Sequence, residues 1–145
     1  MTRDVIVVPP ELPLSDAWAI MEREKIRHLP VVRAGQLLGI VSDRDVLLRA
    51  SLDSRGEPTV PQRLLVAAAM TPAPYVCGLS TPVEELVRVM TETKIDAVLV
   101  VSSEDKLVGL VTTTDLLLLL LTSDGAQPRP LPFDFRVHEA SAPSA

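Results

Sequence analysis

Of the 145 residues only one is a cysteine, Cys77, so no internal disulfide can form and stability must come from packing. A reducing compartment, the cytoplasm, is the expected home, and a lone thiol after the strand-like Tyr75-Val76 reads as packing rather than as a redox or metal centre. Aromatic residues make up 3% of the chain, too few for a base-stacking platform. Basic residues are outnumbered, 14 against 19 acidic for a net charge of −5, and they form no stripe, which argues against nucleic acid as a partner. That leaves room only for a local basic pocket. The all-leucine run Leu116 to Leu121 falls far below the roughly 20 apolar residues that span a bilayer. The opening Met1-Thr2-Arg3-Asp4 is charged too early, and its apolar stretch ends too soon at Pro9-Pro10, for a signal peptide. No phosphate-binding Walker loop is present, neither His28 nor His138 has a metal-ligand companion at usual spacing, and Ser42 with the distant His138 makes no triad. No catalytic or metal-binding residue is therefore expected.

What is present is a repeat. Met70-Thr71 stands 69 positions after Met1-Thr2, and Pro82-Val83 stands the same distance after Pro13-Leu14. Leu14, Ala17, Trp18 and Met21 recur as Val83, Leu86, Val87 and Met90, both sets with the i, i+3, i+4, i+7 spacing of an amphipathic helix. Thr81 is the expected N-cap of the second, with Pro82 at the first helical position and Glu84 completing a capping box. After each helix come two strand-like runs. These are Leu29 to Val32 and Gln36 to Val41 in the first copy, Ala97 to Val101 and Lys106 to Val111 in the second. The turn Ser102-Ser103-Glu104-Asp105 is one residue longer than Arg33-Ala34-Gly35, so Gly109 follows Gly39 by 70 rather than 69. Each copy closes with a helix, from Asp43 to about Arg49 and from Thr113 to about Leu121. The order strand, helix, strand, strand, helix makes the fold class α/β (or α+β).

Ser51 to Pro61 reads as a solvated connector. Gln62 to Ala69 reads as a short helix leading into the second copy, with Arg63 outward and Leu64, Leu65 and Val66 inward. The expected domains are 1–60 (first repeat and connector), 61–122 (second repeat and lead-in) and 123–145. The last is a tail holding Pro128, Pro130, Pro132 and Pro143. Phe133, Phe135 and Val137 alternate, so this tail either docks as an extended strand or stays mobile.

The run Ile26-Arg27-His28-Leu29-Pro30-Val31-Val32, followed by Gly39-Ile40-Val41-Ser42-Asp43-Arg44-Asp45, resembles the consensus of the CBS domain family, named after cystathionine β-synthase. The second copy keeps Gly109-Leu110-Val111-Thr112-Thr113-Thr114-Asp115 but has Asp96-Ala97-Val98-Leu99 in place of Arg27-His28-Leu29-Pro30. The resemblance covers residues 1 to 122. It implies two β-α-β-β-α repeats packed as a pseudo-twofold pair, with two clefts for adenosine-containing ligands, and often a disc-like homodimer. The leucines after Asp115 point to a subunit interface or to deeper core burial.

By this resemblance the first site comprises Arg27, His28, Leu29, Ile40, Ser42, Arg44 and Asp45, and the second Leu110, Thr112, Thr114 and Asp115. The aspartates would accept hydrogen bonds from both ribose hydroxyls, Arg27 and His28 would lie near the phosphates, and Arg44 would add a cation. Ile6, Val8, Leu29 and Ile40 are candidates to sandwich an adenine, or else core. Gly39 and Gly109, placed where strand gives way to helix, permit a tight turn or close backbone approach. Ser42 and Thr112 fall at helix N-termini, where open N–H groups and the dipole favour a phosphate. Ser42-x-x-Asp45 and Thr112-x-x-Asp115 equally fit capping boxes, and capping and binding are compatible. Near the second site Lys94 is offset by Asp96, which opposes anionic ligands. The implied function is regulatory. An adenine nucleotide binds without any required cofactor, and the change passes to an effector protein. The rival is a dimerisation module indifferent to nucleotides.

Overall fold

The computed structural model describes residues 2–122 and 134–141. Its first half runs β1 (Thr2–Val7), α1 (Leu14–Glu24), β2 (His28–Arg33), β3 (Gln36–Ser42) and α2 (Asp43–Arg49). A hairpin of β4 (Ser51–Leu52) and β5 (Pro58–Thr59) follows, then α3 (Val66–Ala69) and β6 (Thr71–Pro72). The second half is β7 (Val76–Gly78), α4 (Val83–Thr93), β8 (Ala97–Val101), β9 (Leu107–Thr112) and α5 (Thr113–Thr122), with β10 (Asp134–Glu139) last. The fold is mixed α/β, and the expected five-element order occurs twice. Two compact units result, one built on Ile6–Ala73 and the other on Pro74–Val137.

In the first unit β2, β3 and β6 form one antiparallel sheet. Strand alternation turns Leu29, Val31 and Val41 to one face, where they meet Leu14, Ala17, Ile20 and Met21 of α1, Val46 of α2 and Val66 of α3. Trp18, expected in that stripe, is only half-buried, and Ile20 occupies the core instead. The second unit repeats the plan with β7, β8 and β9, its core formed by Leu86, Met90, Val98, Val100 and Val111. Val87, expected to face inward, is 42% exposed.

The 69-residue displacement is obeyed by the backbone. The parallel bridge Val8↔Val31 maps onto Cys77↔Val100, and the antiparallel pairs His28↔Ser42 and Leu29↔Val41 map onto Ala97↔Thr112 and Val98↔Val111. Both hairpins carry a bulge at the same place, after Val31 and after Val100. The extra residue sits in the turn. Ala34 and Gly35 (φ 50 and 77) close the first hairpin with two residues, while in the second Ser102 N–H donates to the Lys106 carbonyl (2.8 Å), leaving three residues in the turn with Asp105 at φ 58.

Pro30 explains where the halves differ. In the second unit Leu99 N–H donates to the Tyr75 carbonyl (3.1 Å) and β7 pairs with β8 over three residues. Pro30, at the equivalent position, has no N–H to offer, so the parallel ladder contracts to the single bridge at Val8.

Several local expectations are corrected. The connector holds the β4–β5 hairpin, whose loop is closed by Asp53 Oδ1 accepting from the N–H groups of Arg55 (2.8 Å) and Glu57 (3.0 Å). The lead-in helix begins only at Val66 and packs in the first unit rather than with the second repeat. Residues 64–67 are tied to the start of α1 and the chain before it: Leu14 N–H donates to Leu64 O (2.7 Å), Val66 N–H to Leu12 O (2.8 Å) and Ala67 N–H to Pro10 O (3.0 Å). Leu65 is consequently extended and exposed rather than inward. Thr81 does not cap α4. Its hydroxyl accepts from Gly78 N–H (3.1 Å), Pro82 takes the N-cap position, and no capping box forms. Gly39 lies within β3, not at its end. The tail's alternation is realised as β10, paired with β1, while Phe133 and the tail prolines lie outside the described residues.

A Cβ at Gly39 would sit 2.6 Å from the Thr71 carbonyl oxygen and 2.9 Å from Met70 Sδ. Backbone cannot yield as a side-chain tip can, so Gly39→Ala is expected to cost about 2–3 kcal/mol. Urea unfolding followed by Trp18 fluorescence reads this, and an unchanged midpoint would refute it. Burial pushes the Cys77 thiol up to about 11, Glu85 adding to the rise and a hydrogen bond with Thr81 opposing it. At pH 8 the native thiol should therefore be alkylated about a hundredfold more slowly than in the urea-unfolded chain. Because the folded pKa is the raised one, the associated stability is present below the ordinary value of 9.0 and lost as pH climbs toward 11. Equal alkylation rates would overturn this.

Candidate functional site

The start of β2, the end of β3 and the first turn of α2 meet at one junction. Antiparallel pairing sets His28 opposite Ser42, and Asp43 N–H donates to the Arg27 carbonyl (2.9 Å). Ser42 caps α2. Its Oγ accepts from Asp45 N–H (3.2 Å), while Asp45 Oδ2 accepts from Ser42 N–H (2.8 Å) and from Ser42 Oγ (3.0 Å). The capping box is thus complete, and it holds the Asp45 carboxylate in one orientation. Among the described residues no hydrogen bond engages Asp45 Oδ1, and neither the Arg27 nor the Arg44 side chain has a partner. Arg23 and Arg33, by contrast, are paired with Glu24 and Glu11.

The second junction reproduces the frame. Ala97 faces Thr112, Thr113 N–H donates to the Asp96 carbonyl (3.0 Å), and Asp115 Oδ2 accepts from Thr112 N–H (2.8 Å). The return bond from Asp115 N–H to Thr112 Oγ1 is long at 3.4 Å. Asp115 is fully buried, Asp45 half-buried.

Of the residues expected at the first site, Arg27, His28, Ser42, Arg44 and Asp45 come together, with Ile40 on the same sheet face as His28 and Ser42. Leu29 does not join them. Strand alternation turns its side chain to the opposite face, where it is fully buried in the core. Val8 is likewise core, and Ile6 packs partly against it. Leu110, Thr112, Thr114 and Asp115 gather at the second junction, Leu110 equivalent to Ile40. The open helix amides expected to seat a phosphate are occupied at the first junction. Asp43 N–H binds the Arg27 carbonyl, Arg44 N–H binds Asp43 Oδ1 (2.8 Å), and Asp45 N–H binds Ser42 Oγ. Among the described residues, the cationic groups left without a partner at that junction are the guanidiniums of Arg27 and Arg44. Asp43's part in this went unread in the sequence, although an acidic residue in a helix's first turn is a recognisable sign. No group of three or more His, Cys, Asp or Glu among the described residues is placed to hold a metal ion. No helix among them is long and apolar enough to cross a membrane.

The sequence model of the CBS domain matches residues 1–51 and 66–122. The chain belongs to the CBS domain family. Both CBS repeats are covered, and the match ends where α5 ends. The CBS domain-containing protein CBSX2 of Arabidopsis thaliana is 32% identical over 129 residues, covering 73% of this chain and 54% of that protein. An inosine-5'-monophosphate dehydrogenase of Korarchaeum cryptofilum is 35% identical over 114 residues, 79% of this chain but 22% of the dehydrogenase. The chain thus spans about a fifth of that enzyme and just over half of the plant protein. Among solved structures, CBSX2 in complex with AMP superposes with a TM-score of 0.68 at 30% identity, covering 81% of this chain and 88% of the other. A putative acetoin utilization protein from Vibrio cholerae superposes at 0.69 with 30% identity, covering 84% and 87%.

Proposed function

We propose that this CBS-domain chain is a regulatory module that binds adenine nucleotides at its strand-to-helix junctions and passes the resulting change to a partner protein, without catalysis of its own. The observation that carries the reading is the first junction. A carboxylate fixed by its capping box keeps Oδ1 for ribose hydroxyls, beside two unpaired guanidinium groups suited to a phosphate. Further support comes from CBSX2, a 30% identical protein whose structure was solved with AMP. No cofactor or metal is needed for this role. A ligand that prefers one conformation shifts the population toward it by its differential affinity, which is how binding here becomes a signal.

The module acts as a homodimer in this reading. On α5, Leu120 and Leu121 are 73% and 82% exposed, with Leu117 and Leu118 also open to solvent, more apolar surface on one helix than a monomer needs.

AMP at about 100 times its dissociation constant stabilises the folded chain by about 2.7 kcal/mol, a rise in Tm of several degrees. In Asp45→Ala the ligand-free protein should lose about 1 kcal/mol with its cap, and most of the AMP-dependent rise should vanish. No rise with AMP, ADP or ATP in the unaltered protein would sink the proposal. Sedimentation equilibrium should give a dimer that Leu120→Glu with Leu121→Glu converts to monomer, and a monomer before substitution would refute the dimeric assignment.

A further inference from the structure

Because the halves share one register, every position at the first junction has a defined counterpart at the second, and the counterparts fall into two classes. Those suited to sugar and base are alike: Asp45 and Asp115, Ser42 and Thr112, Ile40 and Leu110. Those suited to an anion are not. Arg27 becomes Asp96, His28 becomes Ala97 and Arg44 becomes Thr114, while Lys25 and Lys94 are common to both. The first junction therefore sets Lys25, Arg27 and Arg44 against Asp43 and Asp45, and the second sets Lys94 alone against Asp96 and Asp115. The local charge changes sign while the backbone frame does not.

We infer that the two junctions divide ligands by charge: the first takes a nucleotide bearing phosphate, the second a nucleoside bearing none. This rests on the adenine-nucleotide reading above and adds the specificity of each site. At the second junction a phosphate would approach Asp96 with no arginine to offset it, and like charges repel. An uncharged adenosyl group meets no such penalty and still finds the half-buried Thr112 hydroxyl and Leu110 side chain.

The test is calorimetric titration of the full chain with AMP and with adenosine. AMP is expected to fill a single site per chain, with an affinity that weakens as salt rises. Adenosine is expected to bind AMP-saturated protein at the remaining site, with little salt dependence. Arg27→Asp with Arg44→Thr should weaken AMP about tenfold or more and leave adenosine binding to AMP-saturated protein unchanged. Asp96→Arg with Thr114→Arg should create a second AMP site. All four side chains are exposed, so these changes spare the core, and unchanged circular dichroism melts verify it. Two equivalent AMP sites in the unaltered protein, or a second site that still refuses AMP after the arginines are introduced, would overturn the division while leaving the nucleotide reading intact. Binding of neither compound would remove both.

Discussion

The antiparallel pairing that sets residue 28 opposite residue 42, and residue 97 opposite residue 112, is the constraint on which the rest of this molecule depends. A slip of one residue would carry Leu29, Val31 and Val41 from the core face to the other side of the sheet. Each buried side chain of that size is worth about 1.5–3 kcal/mol, so the register is held by the core. The junction chemistry inherits that precision. The Arg27 carbonyl can accept from Asp43 N–H only because β2 and β3 stand in this alignment, and the start of α2 is thereby fixed relative to the strand beside it.

Two residues that look like concessions in a strand shape the first sheet's edges. Pro30 leaves the ladder with a single parallel bridge to Val8, where the second unit has three pairs. Gly39 leaves room on the far side for β6, whose Thr71 carbonyl would collide with any side chain there. β2, at the edge of the β2-β3-β6 sheet, tolerates the proline because its carbonyl still accepts from Val8 N–H (3.0 Å), and the antiparallel ladder to β3 continues through it. The glycine is required by approach of another strand, not by an unusual φ.

How much of this was legible follows from where the information resides. Period-2 and period-3.6 patterns, read twice over, gave the element order, the hairpins and the one-residue offset, because duplication tests each pattern against an independent copy. Side-chain facing was less legible. Leu29 lies between His28 and Pro30 in a near-continuous apolar run, and composition does not say which neighbour shares its face, whereas pairing with Val41 does. Ends were less legible still. Thr81-Pro82-x-Glu84 has the letters of a capped helix, yet the Thr81 hydroxyl turned back to Gly78, a local alternative open to any Ser or Thr beside a turn. The fate of residues 64–67 depended on carbonyls more than fifty positions away in the chain, which no local pattern encodes.

The same division explains why the two halves diverge where they do. Core positions answer to packing, so Val31 and Val100, or Val41 and Val111, are held to similar volume by their neighbours. Residues 27 and 44 answer to nothing in the core. Their side chains are exposed, and the junction uses only backbone groups from them: the Arg27 carbonyl and the Arg44 N–H, with the Asp96 carbonyl serving as the former's counterpart. A position whose backbone is structural and whose side chain is free can change charge without a folding cost. Arginine in one half and aspartate in the other therefore stand on the same hydrogen bond. The fold supplies two copies of one backbone frame, and the exposed side chains set on it differ in charge.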